Sequence, residues 1–183
     1  MAVRDYQAGR IFWLDARRHF QLTSHPWYPT QMTHEVEVVE VEPTVIASLR
    51  QRVAWSGLPR LVPQLLGEVW DFLKTAPVEK KGHNVAVYRD PQAKDIEVEC
   101  GVQVSGPFAD SGRVRRSETP AGKAAHATHL GPYNEMGKAY DAIKAFCEKH
   151  GLAAGVHWEV YGDWSDDPTK LQTDVYATVT NKG

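Results

Sequence analysis

Cysteine is scarce in this chain, with two in 183 residues, Cys100 and Cys147. So few exclude a disulfide framework or a cysteine-built metal centre. Both read as reduced, buried thiols that are not bonded to each other. An excess of one charge is also missing: 21 Lys and Arg stand against 23 Asp and Glu, a net of −2. Direct nucleic-acid binding wants a basic face, and polybasic membrane attachment wants clustered cations, so neither partner is expected. Long hydrophobic runs are lacking too. Near the N-terminus the longest is Ile11-Phe12-Trp13-Leu14, too short for a secretion signal. No run approaches the ~20 apolar residues that span a bilayer. The expectation is a cytoplasmic protein without a membrane partner.

Several catalytic signatures are absent as well. There is no Gly-rich phosphate loop, no Gly-x-Ser-x-Gly elbow and no His-Glu-x-x-His, and no cofactor is expected. Cys147 and His150 stand i, i+3 on a helix but have no second pair, so no metal site is expected. His126 and His129 point to opposite faces of a strand and do not chelate together.

What is present is ordinary globular usage: 42% apolar and 24% charged residues, enough for one domain. Residues 1–32 are aromatic and basic without clear period, broken by Pro26 and Pro29; they read as an N-terminal arm with a possible helix over 10–20. Residues 33–183 read as the domain proper. It consists of two similar halves, 35–104 and 113–180, each running β, β, α, β, β. Val87-Tyr88-Arg89-Asp90 in the first resembles Val160-Tyr161-Gly162-Asp163 in the second. A helix is expected to start at Pro63, with Leu65, Leu66, Val69, Phe72 and Leu73 at helical spacing. A second carries Met136, Tyr140, Ile143 and Cys147 on one face, with Gly151 at its C-terminal cap. Residues 80–83 read as a polar turn, and strands 113–118 and 123–129 as a pair around Thr119-Pro120-Ala121-Gly122. The fold class expected is α+β: a tandem pseudo-twofold repeat forming an antiparallel sheet of about eight strands, with two helices on one face and a ligand groove on the other.

Strand alternation suggests a site. If Val160 joins the helix-covered core, then His157, Glu159 and Tyr161 face away from it. The same reasoning sends Val85 and Val87 to the helices and Tyr88 away. It sends Val175, Ala177 and Val179 to the helices, and Asp174 and Tyr176 away; Glu99 also faces away. Glu159 would then stand among Tyr88, Tyr161 and Tyr176, with Glu99 and Asp174 nearby. A desolvated carboxylate inside an aromatic box attracts cations and flat polarised molecules, and its raised pKa suits acid–base work. The plainer reading is a solvated strand face. Trp70 lies just off the stripe of the first helix, where core packing competes with ligand contact.

The segment Thr128-His129-Leu130-Gly131-Pro132-Tyr133 resembles the H-x-G-P-Y signature of the GyrI-like (gyrase-inhibitor-like) effector-binding family. Trp158-Glu159-Val160-Tyr161, the turn Asp166-Asp167-Pro168, and Thr173-Asp174-Val175-Tyr176 are similar to that family's C-terminal pattern. Leu66-Gly67-Glu68-Val69-Trp70 is similar to its first repeat. The resemblance covers about residues 33–181. It implies a bacterial-type protein with a ligand groove between two repeats, binding hydrophobic, aromatic or cationic small molecules. A central groove glutamate maps onto Glu159, and Tyr133 joins the ligand-binding set. Many relatives are sensor domains fused to a helix-turn-helix region, which has no counterpart in residues 1–32. Asp174 stands where a Glu is commoner.

Three functions follow as expectations. The first is stand-alone drug or toxin binding, for sensing or sequestration. The second, which the resemblance implies, is hydrolysis of cyclopropane-bearing genotoxic electrophiles with Glu159 as the catalytic group. The third is modulation of a larger enzyme through protein interaction. The oligomeric state is left open.

Overall fold

The computed structural model describes residues 2–5, 10–13, 34–90, 93–106 and 108–183. Strands β1 (Ala2–Asp5) and β2 (Arg10–Trp13) pair antiparallel as a separate two-stranded sheet. A strand therefore stands where the helix over 10–20 was expected to begin. Ile11, Phe12 and Trp13 are β-branched or aromatic and favour extended backbone. The remainder of that helix, and most of the arm, lie outside the described residues.

The other elements are β3 (Glu37–Val41), β4 (Val45–Ala54), α1 (Leu58–Leu73), β5 (Glu79–Arg89) and β6 (Asp95–Ser105), followed by β7 (Arg115–Glu118), β8 (Gly122–Leu130), α2 (Gly137–Lys149), β9 (Leu152–Tyr161) and β10 (Gln172–Asn181). Eight strands form one antiparallel sheet in the order β3-β8-β10-β9-β5-β6-β4-β7. The fold is α+β, as the sequence implied. Read from either end, the order is edge strand, strand before the helix, last strand, strand after the helix. That is the pseudo-twofold pattern, with β5 and β9 meeting at the centre.

The edge strands are exchanged between the halves. β3 pairs β8, and β7 pairs β4 rather than β8. The segment between β7 and β8 is not a tight hairpin. Thr119 N–H donates to the Thr44 carbonyl, and the Thr119 hydroxyl accepts from Thr44 N–H, each at 2.9 Å. Those bonds bind the end of β7 to the start of β4. The polar turn expected at 80–83 is instead a register irregularity inside the long β5.

α1 starts five residues before Pro63, with proline in its first turn where a missing N–H costs nothing. Leu61, Leu65, Val69 and Leu73 repeat at i+4 and bury one stripe against Ala47, Leu49, Val98, Cys100 and Val102. α2 buries Ala139, Ile143 and Cys147 against Ala125, Ala127, Val175 and Ala177. Cys100 and Cys147 are both free and buried. Ladder partners share a face, and one row reads Ala127, Val175, Glu159, Ala86, Cys100, Leu49. Both helices lie on that row's side. The opposite side has its own cluster of Ile46, Val85, Val87, Ala124 and Trp158. Gly101 shows how closely that side packs: a Cβ there would meet the Ala47 carbonyl oxygen at 2.7 Å.

Candidate functional site

At the centre of the sheet, β5 and β9 pair with Ala86 opposite Glu159 and Tyr88 opposite His157. α1 lies over β4 and β6, and α2 over β8, β9 and β10, so this seam runs between the helices. Glu159 is 4% exposed. The small Ala86 beside it leaves room for the carboxylate. Three tyrosine hydroxyls donate to it. Tyr88 reaches Oε2 at 2.9 Å and Tyr161 reaches the same oxygen at 2.5 Å; Tyr140, from α2, reaches Oε1 at 2.6 Å. No Lys or Arg pairs with Glu159 among the described residues.

Burial raises the Glu159 pKa above the ordinary carboxylate value, outweighing the three phenol hydrogen bonds and the nearby His129 that pull it down. Burial and then the Glu159 charge push Tyr88, Tyr140 and Tyr161 well above the usual phenol range. His157 stacks on Tyr140 with ring centres 5.6 Å apart, and burial lowers its pKa. Tyr133 meets Tyr161 edge-on at 5.5 Å.

The H-x-G-P-Y segment has a mechanical reason. Gly131 sits at φ +127°, a conformation side-chain-bearing residues rarely adopt. The turn carries Pro132 back so that its carbonyl accepts from buried His129 Nε2 at 3.2 Å. His129 Nδ1 lies 3.2 Å from His34 Nε2, and the two rings stack with centres 5.4 Å apart. The same turn delivers Tyr133 over Tyr161. Along the ladder, His129, Thr173 and Tyr161 form the row next to Glu159, and the buried Thr173 Oγ1 has no hydrogen-bond partner among the described residues.

The structure thus brings together Glu159, Tyr88, Tyr161, Tyr133 and His157, but on the helix side of the sheet, opposite to the expected face. Tyr176 is not with them. It stacks on the far side between Trp158, at 4.8 Å, and His126, at 4.6 Å. Glu99 and Asp174 also lie on that side, held by Ser48, Arg50 and Arg89, and by His126 and Thr128. The alternation reading failed in β5 and β9 because both faces of these central strands are buried. Val85, Val87 and Val160 mark the far-side cluster, not the helix side. Trp70 is buried among the α1 core residues, its indole N–H donating to Asn84 Oδ1 at 2.8 Å. Tyr140, His129 and Thr173 were not among the candidates. Tyr140 sat on the α2 core stripe, and its one available signal is that a buried phenol needs a partner.

Known proteins can be set beside this geometry. The sequence model of the GyrI-like small molecule binding domain matches residues 34–180. The chain belongs to the GyrI-like family. No curated protein sequence matches this GyrI-like chain. Among solved structures, the EcmrR C-terminal domain is similar at TM-score 0.70 and 22% identity, over 82% of this chain and 99% of that one. In the EcmrR–DNA complex, the likeness covers 59% of the EcmrR chain. SAV2435 bound to tetraphenylphosphonium is similar at TM-score 0.57 and 9% identity, over 80% and 94% of the two chains. A hydrolase from Listeria innocua is similar at TM-score 0.51 and 13% identity, over 80% and 92%. At these identities the likeness establishes the shared fold of the GyrI-like domain.

Proposed function

We propose that this GyrI-like domain binds hydrophobic aromatic cations at the seam between α1 and α2, with Glu159 as the anchor and Tyr88, Tyr133, Tyr140, Tyr161 and His157 as the surrounding rings. One observation carries the reading. Glu159 is a buried carboxylate with hydrogen-bond donors but no cation from the described residues. An unpaired buried charge is costly, and a ligand cation would supply the missing partner. Aromatic faces add attraction for that cation. The tetraphenylphosphonium held by SAV2435 is a ligand of this chemistry. The tyrosine cage closes over Glu159, so an entering cation exchanges with a phenol, most simply that of Tyr140, which belongs to a helix rather than the sheet.

The test is calorimetric titration of wild type and Glu159→Gln with tetraphenylphosphonium and with neutral triphenylphosphine oxide. The cation should lose about 1–3 kcal/mol in the variant and the neutral compound much less. Equal affinities of both proteins for both compounds would remove Glu159 from the binding role.

The raised proton affinity of Glu159 also favours a second reading, in which it takes a proton from water as the water oxygen bonds to a ring carbon of a cyclopropane-bearing electrophile, the strained C–C bond breaking with its electron pair passing into the conjugated, electron-withdrawing part of the substrate. In that case Glu159→Gln abolishes turnover of a cyclopropane-type alkylator while leaving its binding nearly intact.

A further inference from the structure

A concavity lies at the opposite end of the sheet from β3, where β4, β6 and β7 meet. It is a cavity of about 450 Å³ whose lining includes Arg50, Arg113, Arg115, Arg116, Ser48 and Ser117. Glu99 and Asp110 also line it. Its charges are unevenly matched. Arg113 is tied to Glu68 and Arg116 to Glu118, each at the rim. Glu99 is held by Arg89 from the far side as well as by Arg50. That leaves Arg50 and Arg115 facing a single further carboxylate, Asp110, 3.4 Å from Arg115 Nε.

These two guanidiniums share one face. Arg115 stands opposite Ser48 in the ladder, and Arg50 is two residues along β4 on the same side. Arg50 uses Nε for Glu99 and one Nη for Ser117; Arg115 uses Nε for Asp110 and one Nη for the Gly112 and Val114 carbonyls. Each keeps its other Nη group without a partner among the described residues. Like charges set diagonally on a sheet repel, and an anion between them relieves that repulsion. Unengaged Nη groups match the oxygens of a phosphate, and arginine is the residue best shaped for that contact. The volume falls within the few hundred to about 1,000 Å³ of small-molecule sites.

We propose that this cavity is an anion site for a phosphate-bearing small molecule, recognised by Arg50 and Arg115 and separate from Glu159. Arg115→Gln is the main probe, because Arg115 does not hold Glu99 and its loss leaves that buried group paired. The full chain is titrated at physiological salt with inorganic phosphate, glucose 6-phosphate, adenosine monophosphate and a short DNA duplex. Expected is saturable one-to-one binding of phosphate or a monoester, weakened about tenfold or more by Arg115→Gln, the effect of losing a charged hydrogen bond. Lys144→Gln, at an exposed position of α2, should leave it unchanged; circular dichroism verifies that both variants are folded. Absence of saturation, equal affinity in folded Arg115→Gln, or tighter binding of the duplex than of the monoesters would overturn the proposal.

Discussion

Two buried glutamates occupy neighbouring rows of the sheet and have opposite surroundings. Glu99, fully buried on the far side, accepts from Ser48 Oγ at 2.7 Å, Arg89 Nη2 at 2.9 Å and Arg50 Nε at 3.0 Å. Among the described residues, Glu159, on the helix side, accepts hydrogen bonds from three phenols, those of Tyr88, Tyr140 and Tyr161. Burial raises both carboxyl pKa values. At Glu99 the hydrogen bonds from Arg89, Ser117, Ser48 and Arg50 outweigh it, and the pKa falls below 4.5. At Glu159 burial wins, and the pKa rises above 4.5. The first charge is settled by the chain itself and is structural. The second has no Lys or Arg partner among the described residues, the kind of perturbed, uncompensated carboxylate from which the binding proposal starts.

The pH signs follow. Glu99 has a lowered folded pKa, so its contribution is present above 4.5 and is lost as pH falls through the folded value. Glu159 has a raised folded pKa, so its contribution is complete below 4.5 and is lost as pH rises through the folded value.

The largest effect should come from Glu99→Ala, which strands Arg89, Arg50 and Ser48. Urea unfolding at pH 7 should show a loss of about 1.5–3 kcal/mol, moderated because Arg50 is half-exposed and can turn to water. A loss near zero would erase the structural half of the comparison. Next comes Tyr140→Phe, which leaves Glu159 Oε1 without its donor. The expected cost is about 1–2 kcal/mol above the folded pKa of Glu159, shrinking toward pH 4 as the carboxyl takes up a proton. A pH-independent cost would mean the phenol acts through packing alone. The smallest effect is that of Glu159→Gln on stability: a change within about 1 kcal/mol, favourable at pH 8, because an ionised group in a closed site costs the fold something. Strong destabilisation there would make Glu159 a second Glu99.

Much of the fold was legible in the chain. The doubled ββαββ order, the helical stripes running from Leu65 to Leu73 and from Met136 to Cys147, and the alternation of β6 and β10 all appear in residue periodicity; the first turns of α1, with Leu61, did not. The exchange of β3 and β7 did not, because a four-residue strand carries no mark of its partner. The site was half legible. Glu159 stood out as a carboxylate between tyrosines in a strand, yet its side of the sheet was misread. In a two-sided buried seam, valines mark both faces equally. Tyr140 was hidden because a helix stripe shows that a side chain is buried but not where its hydroxyl points.

The central proposal is that Glu159, a buried carboxylate with no Lys or Arg partner among the described residues, takes a cationic ligand. Carbon-13 NMR titration of the side-chain carboxyls in glutamate-labelled protein reads it directly, with and without saturating tetraphenylphosphonium. Without ligand, Glu159 should titrate above 4.5 and Glu99 below it. With the cation bound, the Glu159 value should fall, because a neighbouring positive charge favours the ionised form, while Glu99 stays where it was. A Glu159 that titrates at or below 4.5 alone, or that does not move when the cation saturates the protein, would contradict the account.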